Sequence, residues 1–149
     1  MEATIREARP GEEGRILPLY EWLFAPPGSQ PAQWDPERAR LSLTEALVDP
    51  QSAVFVAEEG EELAGFCTAY LELESVRFGR RCWVEDLAVG SQRRSQGIGA
   101  ALLAAAKDWA RGAGATHLEL DSGIDRIDAH RFYEREQPSW KSISFSWEL

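Results

Sequence analysis

The stretch Val84-Glu85-Asp86-Leu87-Ala88-Val89, then Gly90-Ser91-Gln92-Arg93-Arg94-Ser95-Gln96, then Gly97-Ile98-Gly99-Ala100-Ala101-Leu102-Leu103 decides the fold. A strand pattern feeds a basic, glycine-containing loop that opens directly into a helix, with Ile98, Leu102, Leu103, Ala106 and Trp109 on one face. Such a junction points unpaired backbone N–H groups and the positive end of a helix dipole at one spot. That spot favours an anion such as pyrophosphate. Gly97 and Gly99 permit close backbone approach, and Arg93 and Arg94 add positive charge. Two familiar phosphate loops do not fit. The dinucleotide fingerprint needs a third glycine where Leu102 stands, and the Walker loop needs Gly-Lys followed by Ser or Thr. A bland reading of the same residues is a flexible helix start carrying two solvated arginines.

Working outward, the chain before this stretch alternates apolar and polar residues. Ser52 to Glu58, Leu63 to Glu74 and Arg81 to Val89 read as three strands of an antiparallel meander, the first two joined by a turn at Glu59-Gly60-Glu61-Glu62. Further upstream lie a first strand at Thr4 to Ala8 and a helix from about Gly11 to Phe24. A loop, Ala25-Pro26-Pro27-Gly28-Ser29-Gln30-Pro31, follows, and then a second helix with Asp35 as N-cap and Pro36 at its first position. Downstream, a helix from Gly97 to about Arg111 leads to a short strand His117 to Leu120. A helix around Asp128 to Arg135 and a final strand near Ser142 to Trp147 complete the pattern. The order β-α-α-β-β-β-α-β-α-β predicts an α/β (α+β) fold, a mixed and mostly antiparallel central sheet with helices on both faces. The whole of residues 1–149 reads as one domain.

The composition sets limits on function. The chain has 149 residues, 44% apolar and 28% charged, an ordinary globular mixture long enough to build a core without disulfides or metal. Cys67 and Cys82 read as reduced core thiols. With only His117 and His130 beside them they cannot form a zinc ribbon or finger, and no metal is expected. Sixteen basic against 25 acidic residues leave a net charge of -9, which repels a phosphate backbone, so nucleic acid is not an expected partner. No apolar run approaches the roughly 20 residues of a membrane span, and the first residues lack the apolar core of a signal peptide. A soluble, cytoplasmic protein is the expectation.

At this point the residues resemble a family. Arg94-Ser95-Gln96-Gly97-Ile98-Gly99, preceded by Leu87-Ala88-Val89 and followed by Ala100-Ala101-Leu102-Leu103, is similar to the acetyl-CoA pyrophosphate loop of the GCN5-related N-acetyltransferases (GNAT). Downstream, Ala129-His130-Arg131-Phe132-Tyr133-Glu134-Arg135 resembles that family's later helix, whose Ala-x-x-Phe-Tyr core packs beside the cofactor thiol. The resemblance implies that backbone amides of Arg94, Ser95, Gln96, Gly97, Ile98, Gly99 and Ala100 hold the pyrophosphate of acetyl-CoA. It implies that the main chain of Leu87, Ala88 and Val89 pairs with the pantetheine arm, that Tyr133 is the general acid at the sulfur, and that Glu85 takes the amine proton. Three departures stand out. Ser95 replaces a frequent glycine, Arg126 stands where Asn is common, and Gln137-Pro138 replaces Gly-Phe, so the turn after the last helix should be irregular.

The implied chemistry asks for these residue types. A primary amine has a pKa near ~10.4, so making it neutral at pH 7 costs roughly 4 to 5 kcal/mol and a base must help. Glu85 and Asp86 are strand neighbours whose side chains are expected on opposite faces, so only one would face the substrate. Glu85 is the favoured base, with Asp86 or a water as alternatives and a sheet-edge carboxylate as the bland reading. Tyr133 could instead be a core tyrosine beside Phe132. The six tryptophans read mostly as core, while Trp22 and Trp34 flank the proline loop and are candidates, with Asp86, to line the acceptor pocket. His117 reads as a strand-edge residue and His130 as solvent-facing. The glutamates 58, 59, 61, 62, 72 and 74 read as a solvated hairpin, or else as an acidic wall that concentrates a cationic amine. The leading function is acetyl transfer to a primary amine of a small, cationic molecule by direct attack. A non-catalytic acyl-CoA sensor or partner module, or an enzyme acting on a protein N-terminus or lysine, is the alternative. Exposed sheet edges make a homodimer conceivable.

Overall fold

The computed structural model describes residues 2–149. Its sheet has five strands in sequence order: β1 (Thr4–Glu7), β2 (Ser52–Glu59), β3 (Glu62–Ser75), β4 (Gly79–Val89) and β5 (His117–Glu119). Each pair of neighbours is antiparallel except β4 and β5, which run parallel. The long run between β1 and β2 holds α1 (Glu13–Ile16), a 3-10 turn at Leu17–Tyr20, α2 (Glu21–Phe24) and α3 (Pro36–Val48); α4 (Ile98–Gly112) and α5 (Ile127–Arg135) come later. The sheet and helices on both faces agree with the expected architecture.

Strand alternation divides the core in two. Phe55, Ala57, Cys67, Ala69, Cys82 and Val84 face α4, where Ile98, Leu102, Ala106 and Ala110 form its buried stripe. Val54, Val56, Phe66 and Ala88 face the other way, onto Ile16 and Leu43. The amphipathic spacing read in α4 is thus the spacing that seats it on the sheet. Cys67 and Cys82 are free and fully buried, and burial pushes their thiols up to about 12 and about 11, so they stay neutral.

Three expectations are corrected. The helix expected from Gly11 to Phe24 is broken into two four-residue α-turns around the 3-10 segment, because Pro18 has no N–H to continue the i to i−4 ladder. The final strand expected at Ser142 to Trp147 does not form. Ile143, Phe145 and Trp147 are 80%, 74% and 78% exposed, and alternation alone cannot make a strand without a partner edge. For the same reason Trp140 and Trp147, read as core, lie outside it; Trp140 instead stacks on Phe78.

The N-terminal segment is held by an ion cluster that the sequence reading missed. Arg6 donates from Nη1 and Nη2 to the two oxygens of Glu12, both at 2.8 Å, and also bonds Glu58; Arg15 bonds the same two carboxylates. The Arg9 N–H adds a 2.7 Å bond to Glu12. The Arg6 guanidinium, in first place, holds the Glu12 carboxyl down at about 2.

Candidate active site

The site is built where β4 leaves β5. The parallel pairing covers only Arg81, Cys82 and Trp83, so β4 from Val84 to Val89 has β3 on one side and no strand on the other. The N–H of Gly90 bonds the Ala64 carbonyl and that of Asp86 bonds Thr68 Oγ1, which turns the even-numbered main-chain groups toward β3. By alternation, those of Leu87 and Val89 face the open edge. Ala88, whose groups turn toward β3, has its side chain in the core against Ile16. On the open side, Arg94 Nε reaches the Val89 carbonyl at 3.4 Å.

The edge leads to the start of α4. Gly97 takes the left-handed conformation, φ +81°, with empty space where a Cβ would stand. It supplies no side-chain cap, so the N–H groups of Ile98, Gly99 and Ala100 precede the first intrahelical bond, from Ala101 to the Gly97 carbonyl. A cluster of three free donors at the positive end of a helix suits a diphosphate. Ser95 is also left-handed, φ 64°, which explains why glycine serves well there. Gln96 is exposed beside it. Gly99 packs under Phe132 of α5, its Cβ position 3.4 Å from that ring. Arg93 is not part of this donor cluster: it pairs with Glu59 at 3.0 Å on the β2–β3 hairpin. An uncapped helix start beside a strand with a free edge fits the diphosphate and the amide-bearing arm of CoA.

Tyr133 lies on the α4 face of the sheet. Burial pushes its phenol up to about 12, with Cys67 adding to the rise and Arg126 opposing it. Cys67, which contributes to that rise, pairs in register with Leu87 of the open edge, and the raised phenol stays protonated. Its hydroxyl makes no hydrogen bond among the described residues.

The carboxylates lie on the opposite face, and together. Thr68 pairs with Asp86 but Ala69 pairs with Val84, leaving Glu85 as the extra residue of a β-bulge. Register puts Asp86 on the face of Thr68 and Trp83 on the face of Tyr70, which is the same face; Glu85, two residues past Trp83, shares it. The expectation that Glu85 and Asp86 diverge is therefore corrected: the bulge cancels one step of alternation. Asp86 Oδ2 accepts from Tyr20 at 2.8 Å and from Thr68 at 3.0 Å, and desolvation holds its carboxyl above the ordinary range against these two donors. Glu85 is exposed and accepts from Trp83 Nε1 at 2.6 Å. Its carboxyl is also raised, by desolvation first and then by Asp86 and Asp121.

Of the two tryptophans flanking the proline loop, Trp34 joins this face. It packs on Tyr20 and Phe24, ring centroids 5.8 and 4.8 Å away, and Tyr20 reaches Asp86. Trp22 instead covers Gly90 at the end of β4, where a Cβ would lie 3.1 Å from its ring. The glutamate run is only in part an unpaired acidic wall: four of its six members face arginines, while Glu61 and Glu74 pair with none among the described residues. Glu58 meets Arg6 and Arg15, Glu59 meets Arg93, and Glu72 shares Arg81 with Glu119. Glu85, Asp86 and Asp121 meet no cation among the described residues, and Glu85 feels the charge of both the others. His130, expected in solvent, is half-buried with Nε2 2.9 Å from the Gly123 carbonyl, and His117 packs against Phe78 and Trp140.

Comparison with known proteins gives the family. Residues 16–137 match the model of the acetyltransferase (GNAT) family. An uncharacterised N-acetyltransferase, YhdJ, of Bacillus subtilis (strain 168) is 40% identical over 94 residues, 62% of this chain and 66% of that one. An aminoglycoside N(6')-acetyltransferase type 1 of Stenotrophomonas maltophilia is 32% identical over 131 residues, covering 85% and 80%. Among solved structures, the aminoglycoside N-acetyltransferase AAC(6')-Iy in complex with CoA superimposes with a TM-score of 0.84 over 99% of this chain and 94% of that one, at 15% identity, a likeness of fold. With the family's motif residues set around an open strand edge and an uncapped helix, the chain is an acyltransferase of the GNAT acetyltransferase family.

Proposed function

We propose that the protein transfers an acetyl group from acetyl-CoA to a primary amine of a small cationic molecule, by direct attack and without a covalent enzyme intermediate. The observation that carries the reading is the open edge of β4, with Tyr133 over one face and Glu85 and Asp86 on the other. Acetyl-CoA supplies an activated thioester whose acetyl carbon accepts the amine nitrogen as the thiol leaves. The backbone of Leu87 and Val89 would orient the acyl arm as an added strand, and the amides from Arg94 to Ala100 would hold the diphosphate. Glu85, exposed and raised in pKa, accepts the amine proton directly or through a water. Tyr133, kept protonated by burial, donates to the departing sulfur. Asp86 keeps one carboxylate oxygen beyond its bonds to Tyr20 and Thr68, and with Asp121 and the ring of Trp34 it favours an ammonium on this face.

Thermal unfolding and thiol release test this directly. Acetyl-CoA at a hundred times its Kd should stabilise the fold by roughly 2.7 kcal/mol. Thiol release should then depend on an added amine, with spermidine and kanamycin ahead of glycine and with a KM that rises with salt. An unchanged melting temperature at millimolar acetyl-CoA would remove the reading. Binding without amine-dependent release would instead favour a non-catalytic acyl-CoA sensor.

A further inference from the structure

Arg126 stands at the N-cap of α5, and its side chain leaves that helix altogether. Nη2 donates to the Leu23 carbonyl at 2.8 Å, joining residues 103 apart in sequence. Leu23 belongs to the last turn of α2, where carbonyls lack intrahelical donors and a cation is favoured. The proline loop is built around this contact. Gly28 packs so closely that a Cβ there would collide with both the Leu23 oxygen and Arg126 Nη2. Beyond the loop, Trp34 turns back onto Phe24 and Tyr20, and Tyr20 bonds Asp86.

The same guanidinium meets no carboxylate among the described residues and is half-buried. Arg126 and Tyr133 are seven positions apart, so they lie on one face of α5, two turns from each other. One positive group therefore touches the acceptor side through Leu23, and its charge is also felt at the Tyr133 phenol on the acid side. A merely solvated arginine would need neither the glycine at 28 nor burial.

We propose that Arg126 is a positioning residue that ties the 25–31 loop, which leads into Trp34 beside the Tyr20–Asp86 pair, to the helix that carries Tyr133. The proposal rests on the acetyltransferase reading of this site. Its first consequence is for the acceptor: without the tie, the loop and Trp34 no longer hold the Tyr20–Asp86 pair in place for an ammonium. Its second is for the thiol: the uncompensated charge favours the anion that forms as the sulfur departs, and Tyr133 then neutralises it by proton donation.

Steady-state kinetics on the full chain test the tie, with acetyl-CoA and whichever of spermidine, kanamycin and glycine releases thiol fastest in the wild type. Arg126→Ala should raise the acceptor KM about tenfold and lower kcat several-fold, while the KM for acetyl-CoA stays within twofold. Arg126→Lys, which keeps the charge but not the planar fork, should recover most of kcat and leave the acceptor KM raised. Gly28→Ala, which displaces the guanidinium from Leu23 without removing it, should raise the acceptor KM alone. Acetyl-CoA-dependent melting shifts identify variants that remain folded. If folded Arg126→Lys and Gly28→Ala both keep the wild-type acceptor KM, the tie is overturned while the acetyltransferase reading stands. A wild type that binds no acetyl-CoA and releases no thiol overturns that reading instead.

Discussion

Tyr133 and Glu85 stand on opposite faces of β4, and the separation lets substitution distinguish their roles. Tyr133→Phe removes the proton donor and keeps the ring, so kcat should fall a hundredfold or more while acetyl-CoA affinity stays near wild type. Full turnover would return this tyrosine to the core. Glu85→Gln acts on the acid limb of the pH profile. Desolvation and the nearby Asp86 and Asp121 raise the Glu85 carboxyl, so that limb should lie above the ordinary carboxylate range in the wild type and flatten in the variant. Activity of the variant should recover in part at alkaline pH, where solution supplies free amine. Gln137 carries a different kind of consequence. It holds the left-handed conformation, φ 57°, after the last turn of α5, a position that suits glycine. Gln137→Gly should stabilise the protein by about 0.5 to 1 kcal/mol in urea unfolding, because relief of the left-handed strain exceeds the added freedom of the unfolded chain.

At the level of elements, the start of α4 is the test of cofactor binding. Gly97→Glu forces a side chain onto a left-handed residue and sets a negative charge before three free amides, so it should abolish the acetyl-CoA melting shift. Retention of the shift would move the diphosphate elsewhere. This element was legible because its two signals are local: glycines before a period of 3.6, and a strand ahead of them. The bulge at Glu85 was not legible, since it depends on which residue of β3 faces which of β4, and alternation along β4 alone points Glu85 and Asp86 apart. The Arg126 contact was equally hidden, with 103 residues between its partners. The C-terminal run shows the reverse error. Ile143, Phe145 and Trp147 alternate as a strand would, but no edge receives them, so Phe145→Ser should change stability by less than about 0.5 kcal/mol. A loss above about 2 kcal/mol would show that the segment is buried after all.

Across the whole molecule, charge is arranged in clusters more than in a net field. The Arg6–Glu12–Arg15–Glu58 group joins β1, α1 and β2. Because the Glu12 carboxyl is held at about 2, below its unfolded value near ~4.3, its contribution to stability is present above about pH 4.5 and fades as pH falls toward 2. Glu12→Gln should cost about 2 kcal/mol at pH 6 and make the urea midpoint less sensitive to acid. A second clamp has the opposite character, for Arg81 alone joins Glu72 of β3 to Glu119 of β5 beside only three paired residues of β4 and β5. A seam that short should open before the rest of the sheet. Amides of residues 117–135 should exchange with deuterium before those of β2 and β3, through openings that spare the rest of the sheet. Bound acetyl-CoA, laid along the open edge of β4, would then act as the missing length of that seam, slowing exchange in β5 and α5 more than anywhere else.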